Sequence, residues 1–323
     1  MCAVGEDHGL KHETILTWLP VNIFAGVDHA LDSAQNTVLQ CSHYVPEDLR
    51  SCGVHDLPVV VYCHGSGSSR CEADDCIDFL LPRGMTLFCF DFSGSGLSTG
   101  DTSSMGIRES RDLSSVLGFL VRSGHRSIGV WGRSMGAVAS LMVASSPEHG
   151  SLIGGLVLDS CFLNLEQVAS EIAASQIKSR FFSINGWGEA LPGSPHSPRS
   201  FDMKTWNRTP ASPGGGSPGS NPLIAPVANA AVGILRTSIL TEVGFDIRDV
   251  DPAARCHLCE CPVMFVAANE DSIVRPHHTI ELFGRCSNAI QRELVFVQGT
   301  HNSARPDHFK AQVSEIRACV AIH

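Results

Sequence analysis

The chain has 323 residues, of which 43% are hydrophobic and 17% charged, enough apolar content for a sizeable core and against wholesale disorder. Acidic side chains number 33 and basic ones 23, and the net charge of −10 excludes a globally basic nucleic-acid surface. No uninterrupted apolar run reaches the roughly 18 residues of a membrane helix, so no transmembrane segment is expected.

Residues 1–34 read as an N-terminal tail and lead-in. The first ten, with Glu6 and Asp7, lack the apolar stretch of a secretory signal. Short apolar stretches between Thr14 and Tyr44, notably Thr37–Tyr44, suit edge strands, and the polar segment Pro46–Leu57 suits a turn. From there the pattern is regular. Pro58–Cys63 is a continuous β-branched run, as a strand buried on both faces requires, and it ends in the loop His64-Gly65-Ser66-Gly67-Ser68-Ser69. A short helix is predicted over Glu72–Leu81 and a strand over Met85–Phe90.

Ile107, Leu113, Val116, Leu117, Leu120 and Val121 recur at helical spacing, and Gly124 ends that helix. Strand Ser127–Trp131 then leads into helix Met135–Ser145, followed by strand Leu152–Leu158 and helix Phe162–Ile172. Residues 183–225 form a Pro/Gly/Ser-rich insert, too poor in apolar surface to order itself between Pro210 and Ser220. The aromatic residues near its start, Phe181, Phe182, Trp187, Phe201 and Trp206, fit either a spacer or a lid over an acyl chain. The segment 226–323 resumes with a cap helix over Pro226–Glu242, strand Pro262–Ala268, helix Pro276–Cys286 and strand Glu293–Gln298. A last helix carries Phe309, Val313, Ile316 and Val320 on one face. Alternating strands and helices of this length predict an α/β fold, a mostly parallel central sheet with helices on both faces, whose first part is residues 35–182.

The sharpest chemical signal is Gly132-Arg133-Ser134-Met135-Gly136 between an apolar strand and a small-residue helix. A serine on so tight a turn is held out above the carboxyl edge of the sheet. It needs a base and an orienting carboxylate to become a nucleophile. His301 follows the last strand and Asp271 follows the strand before it, in the chain order Ser134, Asp271, His301. Glu270 and Asp159 compete for the acid role, with Asp271 preferred. Oxyanion donors are expected from the backbone N–H groups of Met135 and Ser66, with Gly67 as the alternative to Ser66. His64 is expected to pack the loop. The glycines after Asp91 open no helix, which argues against a phosphate loop there.

Taken together, HGSGSS, FDFSGSGLSTG, GRSMG, EDSIVRP and GTHNSARP resemble the α/β-hydrolase superfamily, and within it the serine-aminopeptidase-like branch with its acyl-protein-thioesterase-like members. The resemblance covers about residues 35–182 and 226–320. It implies a serine hydrolase with its triad on Ser134, Asp271 and His301, no metal, no organic cofactor and a small-molecule or lipid-like acyl substrate. A non-catalytic scaffold of the same fold, or a serine peptidase, is the competing reading. The 13 cysteines are scattered and odd in number, and without a signal peptide they read as reduced thiols of a cytoplasmic protein. Cys256, Cys259 and Cys261 cluster within six residues, yet no second ligand pair follows, so a reduced loop is expected there in preference to zinc.

Overall fold

The structure, a computed structural model, describes residues 13–15, 24–46, 49, 54–184, 224–306 and 309. The chain divides into two compact units, one of Met1–Val168 with Ile239–His323 and one of Ala169–Ser238.

The larger unit is built on a nine-stranded sheet in the order β1-β2-β3-β5-β4-β6-β7-β8-β9 among the described residues. β1 (Glu13–Ile15), β2 (Phe24–Asp32) and β3 (Val38–Pro46) form an antiparallel flank, and β3 pairs antiparallel with β5 (Thr86–Phe90). From β5 the sheet is parallel through β4 (Val59–Cys63), β6 (Ile128–Arg133), β7 (Gly155–Asp159), β8 (Val263–Ala268) and β9 (Arg292–Val297). The nine-residue register from Phe24↔Pro46 to Asp32↔Val38 brings residues 24–32 of the expected lead-in into the sheet.

Successive side chains of a strand point to opposite faces, and here both faces are covered. Val59, Val61 and Cys63 of β4, with Val263 and Phe265 of β8, join one core with α2 (Ile107–Arg122) and α3 (Met135–Ala144). Tyr62, Trp131, Met264 and Val266 point the other way, into a core with α1 (Asp74–Leu80) and Phe309. α2 contributes Leu113, Val116, Leu117 and Leu120, all with no exposed surface. α6 (Pro276–Arg285) links β8 and β9.

The smaller unit consists of most of α4 (Leu165–Ile184) and α5 (Ile224–Glu242). α4 is longer than predicted and takes in residues 183 and 184, the expected start of the insert. The rest of the insert, with Trp187, Phe201 and Trp206, lies outside the described residues, as do Val313, Ile316 and Val320 of the last predicted helix. α5 bears on the expectation that no segment spans a membrane. It is long and apolar enough, by length and composition alone, to cross a membrane, although Asn229, Arg236 and Thr237 interrupt its apolar run. Nine cysteines are free thiols among the described residues, but Cys71 is disulfide-bonded, so the expectation of wholly reduced thiols fails there.

Candidate active site

β6 ends at Arg133 and α3 begins at Met135, which leaves Ser134 alone to turn the chain. Its φ of 51° and ψ of −114° lie in a region that costs a non-glycine residue about 1–3 kcal/mol. Two backbone hydrogen bonds hold it there: Ser134 N–H donates to Asp159 O at 2.8 Å, and Val138 N–H donates to Ser134 O at 3.0 Å. The flanking glycines are required by close approach. A Cβ on Gly132 would stand 2.4 Å from Gly136 O, and one on Gly136 would stand 2.1 Å from Cys63 O.

His301 follows β9, and its imidazole Nε2 lies 3.0 Å from Ser134 Oγ. Its Nδ1 lies 2.6 Å from Asp271 Oδ2. An ionised carboxylate can only accept, so Nδ1 carries the proton and Nε2 is left to accept from the serine hydroxyl. The other Asp271 oxygen, Oδ1, accepts from Ile273 N–H at 2.9 Å and Val274 N–H at 2.8 Å, which fixes the carboxylate's orientation. Asp271 is buried, whereas Glu270 is exposed to solvent. The sequence order therefore brings Ser134, His301 and Asp271 into one hydrogen-bonded chain.

Asp159 does not take part. Arg305 engages both its oxygens, Nε to Oδ2 at 2.7 Å and Nη2 to Oδ1 at 2.8 Å. The same guanidinium donates to Thr300 O at 3.2 Å and Ser303 O at 3.1 Å, so it also clamps the loop that carries His301. Arg133, the variable residue of the serine turn, donates to His301 O at 2.7 Å from the other side. It also pairs with Glu72 at 3.2 Å, and Glu72 Oε2 accepts from Gly65 N–H at 2.9 Å. One network thus ties the serine turn, the histidine loop and the glycine loop after β4. Arg133, Glu72 and Arg305 were not singled out from the sequence. Their partners are distant in the chain, and a charged residue in a turn ordinarily faces solvent.

The glycine loop lies against the serine: a Cβ on Gly65 would stand 3.8 Å from Ser134 Cβ. The Ser66 N–H and the Met135 N–H donate to no described group. His64 Nε2 accepts from Phe92 N–H at 3.1 Å while Nδ1 meets Gly65 O at 2.8 Å, and burial lowers its pKa. It packs the loop. Asp91 accepts from Arg70 N–H at 2.6 Å and Leu97 N–H at 2.9 Å and binds the Arg70 guanidinium, so its glycine turn is occupied by its own side chain.

The cysteine cluster is buried. Cys259 Sγ lies 3.7 Å from Cys261 Sγ, and Cys286 from the end of α6 joins Cys259. Cys256 donates to Ala253 O at 3.4 Å, and burial pushes its pKa up to about 11. Thiols held protonated in this way pack as small hydrophobes.

Comparison with known proteins bears on the fold and on the first part of the chain. Residues 55–192 match the family model "Serine aminopeptidase, S33". That stretch contains Ser134 and ends before Asp271 and His301. The chain is 34% identical over 95 residues to the uncharacterized protein YqkD of Bacillus subtilis (strain 168), covering 28% of this chain and 31% of that one. It is 30% identical over 135 residues to the lysophosphatidylserine lipase ABHD12 of Bos taurus, covering 40% of this chain and 33% of that one. The match therefore spans about a third of the length of these curated relatives. The fold superposes on the esterase Pf2001 of Pyrococcus furiosus with a TM-score of 0.60 at 18% identity, over 96% of this chain and 98% of that one.

Proposed function

We propose that this chain, which belongs to the α/β-hydrolase superfamily, is a serine hydrolase that cleaves a carboxylic ester or thioester through an acyl-Ser134 intermediate. The observation that carries the reading is the unbroken path Asp271 Oδ2, His301 Nδ1, His301 Nε2, Ser134 Oγ, with steps of 2.6 and 3.0 Å, ending on a strained serine.

In this mechanism His301 Nε2 takes the Ser134 proton as Oγ attacks the substrate carbonyl carbon. The carbonyl oxygen gains the negative charge and accepts hydrogen bonds from the Ser66 and Met135 N–H groups. Removing one such donor typically costs about 2.7–4 kcal/mol of barrier. Asp271 stabilises the imidazolium. Collapse of the tetrahedral intermediate expels the alcohol or thiol, which receives the proton from Nε2. Water then enters, gives a proton to His301 and attacks the acyl carbon. The carboxylic acid leaves and Ser134 regains its proton.

The names of the lipase relative and the esterase neighbour support a lipid-like or small acyl ester as substrate. The test is a panel of p-nitrophenyl esters from acetyl to palmitoyl, with a thioester and an aminoacyl anilide beside them. Turnover of esters and thioester without turnover of the anilide supports the reading. Preference for the anilide would replace it with a serine peptidase.

A further inference from the structure

A groove of about 510 Å³ lies within the larger unit and shares no lining residue with the triad. Three arginines line it: Arg111 and Arg122 from α2, and Arg255 from the turn between Pro252–Ala254 and Cys256–Leu258. At 100° per residue, positions seven and eleven along from Arg111 return to within about 20° of its direction, so Arg111, Gly118 and Arg122 share one face over about 16 Å of helix. Gly118 matters because a Cβ there would stand 3.1 Å from Arg122 Nη1. The Arg122 side chain therefore folds back along the helix, over Gly118 and into the groove.

The three guanidinium groups make no ion pair or side-chain hydrogen bond with any described group, in contrast to Arg133 and Arg305. Two carboxylates, Asp32 and Glu148, also line the groove, and like the three arginines they are exposed, so the lining carries three guanidinium groups against two carboxylates. A cationic groove on a chain of net charge −10 is a local departure from the molecule's overall charge. Guanidinium forks match the oxygens of a phosphate group in pairs, and three of them on one groove suit a phosphate better than a single carboxylate. The volume falls within the range of small-molecule sites and exceeds what one inorganic phosphate fills.

We propose that this groove binds a phosphate ester through Arg111, Arg122 and Arg255. The chemistry is common to a soluble phosphorylated metabolite and a phosphorylated lipid headgroup, and the experiment separates the two. The full chain is titrated with inorganic pyrophosphate by calorimetry. In parallel it is sedimented with phosphatidylcholine vesicles, with and without a phosphatidylinositol bisphosphate. The expected result is saturable binding that Arg122→Gln and Arg255→Gln each weaken by about tenfold or more, the loss of a charge-assisted hydrogen bond. Arg126→Gln, an exposed arginine outside the groove, should leave binding unchanged, and short-chain ester hydrolysis should persist in all three variants. Binding of pyrophosphate assigns a soluble ligand, and binding only to the doped vesicles assigns a headgroup. Absence of both, or equal loss in the Arg126 variant, would overturn the site.

Discussion

Arg305 and Asp159 meet through two parallel hydrogen bonds of 2.7 and 2.8 Å, with side-chain exposures of only 5% and 0%. The pair has a consequence for the histidine, because the same guanidinium reaches the carbonyls of Thr300 and Ser303. Removing one partner of a buried pair leaves the other charge uncompensated, which costs about 3–5 kcal/mol. Arg305→Ala should lower the urea midpoint by a corresponding amount. Arg305→Lys keeps the charge and loses the fork, so it should stay folded while kcat falls and KM changes little, as expected of a residue that positions His301. An Arg305→Ala variant with the wild-type midpoint would contradict this account.

The acid role separates Asp271 from its neighbours. Asp271→Asn should lower kcat by about 10⁴-fold, because the amide favours the wrong imidazole tautomer. Glu270→Gln should leave kcat almost unchanged, since Glu270 is exposed and hydrogen-bonds through its backbone to Gly299 O at 3.0 Å. Steady-state rates on one activated ester decide between them. A large loss in the Glu270 variant would move the acid role.

Gly136→Ala sets two effects against each other. Alanine improves helix propensity by up to about 1 kcal/mol. The new Cβ, however, would stand 2.1 Å from Cys63 O and 2.7 Å from His64 O, both backbone atoms that cannot rotate away. Overpacking of this kind costs roughly 1–3 kcal/mol or more, so the variant should melt at a lower temperature. The shift should also move the Met135 N–H and lower activity further than the stability loss alone explains. Circular dichroism melts alongside initial rates measure both.

A cluster of imidazoles makes stability depend on pH. Burial, then the nearby His125, His29 and His55, lower the His43 pKa to about 3, and burial with His55 lowers that of His125 to about 4. His43 Nε2 meets Thr86 Oγ1 at 3.0 Å, while His125 Nδ1 has no partner among the described residues. The folded values lie below the ordinary 6.5, so the unfolded chain takes up the protons first. The stabilisation is present above about pH 6.5 and is lost as pH falls toward about 4 for His125 and about 3 for His43, at up to about 1.4 kcal/mol per unit for each. Urea midpoints at pH 7 and 4.5 should differ accordingly. His125→Leu should flatten the dependence without lowering stability at pH 7, because it removes an unpaired buried nitrogen.

The sequence exposes the parts of this molecule that depend on local pattern. Val59–Cys63 and Val263–Ala268 are legible as strands because a strand buried on both faces needs an unbroken apolar run. Ser134 is legible because its turn needs glycines two residues away on each side. The histidine and the acid follow from their places after β9 and β8. What depends on distant pairing is not legible in this way. Arg305 and Asp159 lie 146 positions apart, and no local spacing announces them. Cys286 is likewise invisible as a neighbour of Cys259 until α6 is placed. β2 is only loosely legible among the edge strands expected between Thr14 and Tyr44, because Gly26, Asp28 and His29 interrupt its apolar pattern and its strand form comes from pairing with β3.

The central claim is that Ser134 is a nucleophile activated by His301. It is tested most directly by treating the folded full chain with a fluorophosphonate and mapping the adduct by mass spectrometry. The account predicts a single phosphonylated residue, Ser134, with labelling abolished in Ser134→Ala and strongly slowed in His301→Ala, both variants retaining the wild-type circular dichroism spectrum. A folded wild-type chain that takes no label, or a Ser134→Ala variant that labels as fast as wild type, would contradict it.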